Sequence, residues 1–346
     1  MKLRRIALVT TCLVTCFLSC NKDDGGTDPV VVEDRDRTEQ QIADKEALLD
    51  YFKTHYYNSS EFEALANPTI QDLKITKLVE GTDVPDDGTL LEDAMGVNLK
   101  TVQTSFADTD YEYYILRLED GNGIDSPTFG DNVVATYEGF TLDNAVFDSA
   151  INPIGFDLTG TIIGWGKVFS QFNVAEDFNE NGDGTVSFVN QGMGVMFLPS
   201  GLGYFSESRT GIPAYSPLIF KFELLQTSQN DHDNDGIPSY LEDADGNGDL
   251  FDNTDEDFTS AANGFLVPIY NYQDTDDDGD GILTRDEITI TTENRATREA
   301  VKSITLESNQ KLVNYIVEEE DGTFTGTIIT FTDTDGDGTP DYLDSE

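Results

Sequence analysis

The sequence predicts an α+β chain with a helical N-terminal segment, a strand-rich central domain and an acidic, loop-rich C-terminal region. Three observations predict it. Thr38-Glu-Gln-Gln41 is a capping-box pattern ahead of apolar residues at helical spacing, Ile42, Leu49, Phe52 and Tyr56. Residues 111–228 break into short apolar and aromatic runs separated by turn residues. From Asn230 onward the composition changes abruptly: Asp231 to Asp257 is crowded with acids and lacks Lys and Arg.

The chain opens with a basic stretch, Met1 to Arg5, and an apolar run from Ile6 to Ser19. That run is shorter than a membrane span and has the form of an export signal, so residues 1–19 are expected to be removed. The three cysteines are Cys12, Cys16 and Cys20. Phe17-Leu-Ser-Cys20 resembles a bacterial lipobox, which implies acylation of Cys20; the alternative is an ordinary secretory peptide that leaves a free thiol. With one cysteine in the mature chain, no internal disulfide is expected. Residues 20–35 read as a flexible tether, and Asn21-Lys-Asp-Asp24 is similar to the surface-export signal of Bacteroidetes lipoproteins. A formal net charge of −47 repels nucleic acid and anionic lipid, so the membrane is expected only through the lipid on Cys20.

Residues 36–110 are expected to form a small α+β segment packed on the next domain, or a spacer. In residues 111–228, strands are predicted at Tyr111–Leu118, Asp131–Phe140, around Phe147 and Phe156, at Gly192–Leu198 and at Leu218–Leu225. A short helix is predicted over Trp165–Phe172. The extra stretch Asp177 to Gly184 reads as a hairpin turn.

Three blocks in this domain resemble the FKBP family of peptidyl-prolyl isomerases. They are Val133-Val-Ala-Thr-Tyr137-Glu-Gly139 leading to Val146-Phe-Asp-Ser149, Pro153-Ile-Gly-Phe156 leading to Ile162-Ile-Gly-Trp165, and Leu198-Pro-Ser-Gly-Leu-Gly-Tyr204 leading to Gly211-Ile-Pro213 and Pro217–Leu225. The resemblance covers about a third of the chain. It implies an antiparallel sheet wrapped on one short helix, with a pocket of Tyr137, Phe147, Asp148, Phe156, Ile162, Trp165, Tyr204, Ile212 and Phe220. Trp165, the sole tryptophan, would be the floor. The Ile162 N–H and Tyr204 hydroxyl would hold carbonyls of a proline-containing peptide, and Asp148 would lie at the edge. No catalytic cofactor is implied. Ile154 stands where the family often has an aromatic, and the 205–211 loop lacks the family's glycine after the tyrosine.

Residues 229–346 carry a repeated ligand pattern. Asp231, Asp233 and Asp235 precede Gly236, Ile237 and Glu242; Asp276, Asp278 and Asp280 precede Gly281, Ile282 and Glu287; Asp333, Asp335 and Asp337 precede Gly338, Thr339 and Asp344. Carboxylates at positions one, three and five, a carbonyl at seven and an acid at twelve are hard oxygen donors that suit structural Ca²⁺. The pattern is similar to EF-hand-like loops and to thrombospondin type 3 repeats, with Pro238 and Pro340 favouring the latter. Asp243-Ala-Asp-Gly-Asn-Gly248 looks like an incomplete fourth loop, with Thr254 at the closing position. Thr297–Ile316 is read as a candidate helix.

The functional expectation is an isomerase acting on X-Pro bonds of exported proteins, calcium-stabilised and lipid-anchored at the bacterial outer membrane. Two alternatives stay open: a non-catalytic peptide-binding assembly module, and a calcium-stiffened structural lipoprotein. His55 and His232 are the only histidines, so a Ser-His-Asp triad is not expected.

Overall fold

The computed structural model describes residues 34–251, 258–260 and 266–345. The export signal, Cys20, the tether up to residue 33 and Thr254 lie outside them. The first helix among them, α1 (Arg37–Thr54), starts two residues before the sequence pattern places it. Asp36 rather than Thr38 is its N-cap and accepts the Glu39 N–H at 2.9 Å. Its buried face runs through Gln40, Asp44, Leu48, Tyr51 and Phe52, three or four residues apart, whereas Ile42 is 57% exposed. Polar residues occupy the inward stripe because they have partners there, so the apolar pattern alone points the helix the wrong way.

After a small three-stranded sheet of His55–Tyr57, Ile75–Lys77 and Thr89–Leu90, six strands build the central sheet: β1 (Leu99–Phe106), β2 (Thr109–Asp120), β3 (Asn132–Phe140), β4 (Val146–Asp157), β5 (Gly192–Leu198) and β6 (Leu218–Ser228). They form one sheet in the order β1-β2-β5-β6-β3-β4, with every neighbouring pair antiparallel. The sequence boundary at 110/111 would separate β1 from this sheet. Instead β1 pairs with β2 from Leu99↔Leu116 to Phe106↔Thr109, across a tight turn at Ala107 and Asp108. Both turn residues have positive φ, +47° and +56°, as a two-residue hairpin of matching twist requires.

Alternation along the strands gives the sheet two apolar faces. Tyr113, Ile115, Met196, Phe220 and Phe222 face α2 (Ile163–Phe169), which contributes Trp165, Val168 and Phe169. Tyr114, Leu116, Val195, Phe197 and Ile219 face the other way and pack with Leu48 and Phe52 of α1 and with Phe62, Ile70 and Leu73. Phe52 meets Tyr114 and Phe197 edge-on at 5.0 and 4.9 Å, contacts each contributing about 0.5–1.5 kcal/mol beyond buried area. The sheet is thus covered on its back by the N-terminal segment. The extra stretch after Phe172 folds as a hairpin, Asp177–Glu180 against Val186–Val189.

The C-terminal region carries its own sheet. β7 (Ile288–Arg295) is followed by the short helix α3 (Arg298–Lys302), β8 (Gln310–Glu318) and β9 (Phe324–Phe331), in the order β7-β9-β8. The candidate helix over Thr297–Ile316 is therefore only helical at 298–302. A register shift between Leu312 and Ile316 turns both Val313 and Ile316 inward, and this spacing of three imitates a helical stripe. Ile237, from the first acidic loop, is fully buried with Ile288, Val313, Ile329, Phe331 and Tyr342. The region is tied to the central sheet through Asp131, which accepts the Asn230 N–H, through the Thr227–Tyr315 hydroxyl contact at 2.6 Å, and through the Arg298–Asp125 ion pair at 3.0 Å.

Candidate active site and candidate metal centre

The front face of the sheet, α2 and three loops enclose a cavity of about 1010 Å³. All nine pocket residues singled out in the sequence line it: Tyr137, Phe147, Asp148, Phe156, Ile162, Trp165, Tyr204, Ile212 and Phe220. Strand register brings them together. Gly139 lies opposite Phe220 on β6 and opposite Asp148 on β4. A Cβ at Gly139 would stand 2.7 Å from the rings of Phe147 and Phe220, so only glycine lets these rings meet, at 5.5 Å and 85°.

Trp165 forms the floor. Its ring contacts Tyr137 at 5.1 Å, Phe156 at 5.1 Å and Phe220 at 5.4 Å, all in edge or strongly tilted geometry. Such packing fixes the rings without filling the space above them. The Tyr137 hydroxyl donates to Asp148 Oδ2 at 2.6 Å. Burial, then the bond and charge of Asp148, raise the Tyr137 pKa, so the phenol stays protonated and its donor stays committed to the carboxylate.

Two donors are uncommitted. Ile162 precedes α2 in extended conformation (φ −67°, ψ 146°), and its N–H makes no hydrogen bond among the described residues; nor does the Tyr204 hydroxyl. Tyr204 follows the turn Ser200–Leu202, and the Arg209 guanidinium covers its ring at 5.2 Å. Reciprocal Arg209–Ile212 backbone bonds of 2.9 Å close the covering loop despite its missing glycine. Ile154 is 44% exposed and lies off the cleft, so the wall there is built without it.

Sequence reasoning missed part of the lining. Arg37 from α1 reaches the cleft and sits 4.2 Å over the Phe205 ring. Gly248, Asp249, Leu250 and Phe251, from the fourth acidic loop, form its outer rim. Lys167 Nζ donates to the Asn247 carbonyl at 2.9 Å and ties that rim to α2. None of these carries a local sequence signal, because each reaches the cleft by a long-range contact.

The three acidic loops share one winding. Gly236, Gly281 and Gly338 have φ of +105°, +94° and +104°, and each N–H points at the first Asp of its loop at 3.1–3.2 Å. Asp231, Asp233 and Asp235 converge, as do Asp276, Asp278 and Asp280, and Asp333, Asp335 and Asp337. Glu287, the closing acid of the second loop, has its pKa pushed up to about 7 by burial and then by Asp278 and Asp280. Asp344 is not among the converging carboxylates of the third loop, whose chain turns instead through Asp341, bonded to Thr334. The carbonyl positions Ile237, Ile282 and Thr339 follow their glycines, each N–H held by the preceding Asp at 2.6–2.7 Å. The fourth loop winds alike, with the Gly248 N–H on Asp243 at 2.7 Å.

Two acids of the first loop are buried. Asp235 and Glu242 are 3% and 1% exposed, and Asp233 Oδ2, Asp235 Oδ2 and both Glu242 oxygens lack a hydrogen-bond partner. Burial and then Asp233 and Asp277 push the Glu242 pKa up to about 11. Orphaned carboxylate oxygens in a buried site are unfavourable unless a cation or protons neutralise them, so the residues fit a hard divalent ion.

Residues 232–314 match the family described as BamM C-terminal. No curated protein matches the chain. Among solved structures, the chain is similar to a peptidyl-prolyl cis-trans isomerase from Pseudomonas syringae pv. tomato, at 23% identity over 37% of this chain and 81% of that one, with a TM-score of 0.29. It is also similar to FkpA from Escherichia coli, at 26% identity over 39% of this chain and 54% of that one, with a TM-score of 0.30. The chain thus spans about half the length of FkpA. No helix among the described residues is long and apolar enough to cross a membrane.

Proposed function

We propose that the central domain is an FKBP-like peptidyl-prolyl cis-trans isomerase acting on proline-containing segments of exported proteins. One observation carries the reading: an aromatic floor at Trp165 shares one cleft with two uncommitted donors, the Ile162 N–H and the Tyr204 hydroxyl. An X-Pro amide is held planar by resonance and exchanges over tens of seconds unaided. Resonance is lost at the twisted transition state, which is less polar than the planar amide. An aromatic cleft therefore favours the twisted form, and the two donors hold the flanking carbonyls in a turn matching it. No nucleophile is needed. Asp148, anchored by Tyr137, stands at the edge, where it would orient the peptide beside the rotating bond.

Calcium is proposed as a structural ion, held by Asp231, Asp233, Asp235, Glu242 and the Ile237 carbonyl in the first loop. Asp276, Asp278, Asp280, Glu287 and the Ile282 carbonyl would hold it in the second. The third, open loop would use Asp333, Asp335, Asp337 and the Thr339 carbonyl, with Asp344 closing on binding. The ion would fix the loops that back and rim the cleft. The setting we propose is the bacterial outer membrane, with a lipid on Cys20 as anchor; the BamM C-terminal match supports an association with outer-membrane assembly.

A second reading, a peptide-binding module without turnover, is favoured by the added lining at Gly248–Phe251, which extends the contact surface beyond the aromatic floor. An isomerisation assay of the soluble chain with calcium, beside an Asp148→Ala, Tyr204→Ala double variant, separates them. Activity lost in the variant supports the enzyme. Peptide affinity without turnover in either protein supports the binder.

A further inference from the structure

Asp277 occupies the second position of the second loop, where the repeat pattern asks nothing of a side chain. Yet it is 1% exposed, and neither of its carboxylate oxygens has a hydrogen-bond partner. Its backbone N–H donates to Thr284 Oγ1 at 3.1 Å. Its carboxylate meets the first loop: carboxylate oxygens of Asp233, Glu242 and Asp277 all lie within 4.8 Å of one another.

We propose that Asp233, Glu242 and Asp277 bind a divalent cation between the first and second loops, so that one ion joins the two. The inference rests on the calcium reading above and extends it, because it assigns a ligand outside the repeat and a site shared between repeats. Two of the three ligands are almost wholly buried and unpartnered at both oxygens, an arrangement that a solvated acidic surface does not produce. All donors are carboxylate oxygens, which select a hard ion such as Ca²⁺. Asp233 also belongs to the Asp231, Asp233, Asp235 group, so its two oxygens can serve adjacent ions. Glu242 begins the segment that ends at the cleft rim, and the shared ion thereby sets where that segment starts.

The test uses the soluble chain and Ca²⁺ alone. Calcium uptake is counted by titration calorimetry, and thermal melting is followed with Ca²⁺ and with chelator, for wild type, Asp277→Asn and Asp335→Asn. Asp277→Asn is expected to lose one equivalent, or to weaken it by at least the roughly 10–100-fold that even outer-shell changes cost. It is also expected to melt higher than wild type in chelator, because a repelling buried charge is gone, and lower in Ca²⁺, because a ligand is gone. Asp335→Asn, a ligand of the exposed third loop, should lose uptake there and melt lower in Ca²⁺ without the rise in chelator. Equal destabilisation in both conditions would make Asp277 a packing residue and overturn the shared site. Higher melting in both would mean that the carboxylates share protons, and would overturn it as well. Wild type binding calcium while Asp277→Asn binds it identically defeats the shared site alone; wild type taking up no calcium defeats the calcium reading itself.

Discussion

The Asp44 carboxylate on α1 accepts both the backbone N–H and the hydroxyl of Ser200, at 2.7 and 2.6 Å, across 156 residues of chain. Ser200 opens the turn that leads to Tyr204, so a helix outside the predicted domain sets the base of the covering loop. Asp44→Ala would strand the buried Ser200 donors, at a cost of about 1–3 kcal/mol each. The expected outcome is a lower urea midpoint together with weaker binding of a proline-containing peptide. An unchanged midpoint would remove Asp44 from this role.

Tyr204→Phe keeps the ring under Arg209 and deletes only a hydroxyl with no partner among the described residues. Stability should therefore hold. The specificity constant for isomerisation should fall by about 2–10-fold, the worth of one neutral hydrogen bond. A loss of stability without loss of rate would show the hydroxyl to be structural.

Asp148→Asn weakens the bond that orients Tyr137, which is donated to a charged acceptor at 2.6 Å. Such bonds are worth about 1.5–3 kcal/mol. The expected result is a drop of roughly 10–100-fold in the specificity constant with a near-native melting curve. Activity equal to wild type would remove Asp148 from the site.

Glu223 is buried on β6, and desolvation raises its pKa despite bonds from Thr136 and Gln191. Its folded pKa thus exceeds its unfolded one, so the folded state holds the proton more tightly. The stability this contributes is present below the unfolded pKa and is lost as pH rises through the folded one. Glu223→Gln should therefore gain on wild type as pH rises from 4 toward 7, read as the difference between their urea midpoints. A difference independent of pH would contradict the assignment.

Lys167→Met would cut the bond that ties the Asn247 carbonyl to α2. Peptide affinity should fall, and the Trp165 emission should lose part of its response to peptide, while the melting temperature in Ca²⁺ stays near wild type. Chelation should lower that temperature, since calcium at about 100 times its Kd adds about 2.7 kcal/mol per site.

Local chemistry made much of this molecule legible in advance. Apolar runs bounded by turn residues marked the central strands, and Asp at alternate positions before a glycine marked loops whose winding depends only on neighbours a few residues away. The blocks around Tyr137, Trp165 and Tyr204 located the cleft, because the glycines and aromatics it needs sit close together in sequence. Spacing misled where a register shift in β8 made strand residues look helical, and where α1 turned Gln40 and Asp44 inward in place of Ile42. Only the tertiary structure decided that Asp44 meets Ser200, that Asp277 meets Glu242, and that Gly248–Phe251 line the same cleft as the aromatic floor. The physical reason is the same each time: a carboxylate's role is set by what is buried against it, and burial between distant segments leaves no periodicity in the chain.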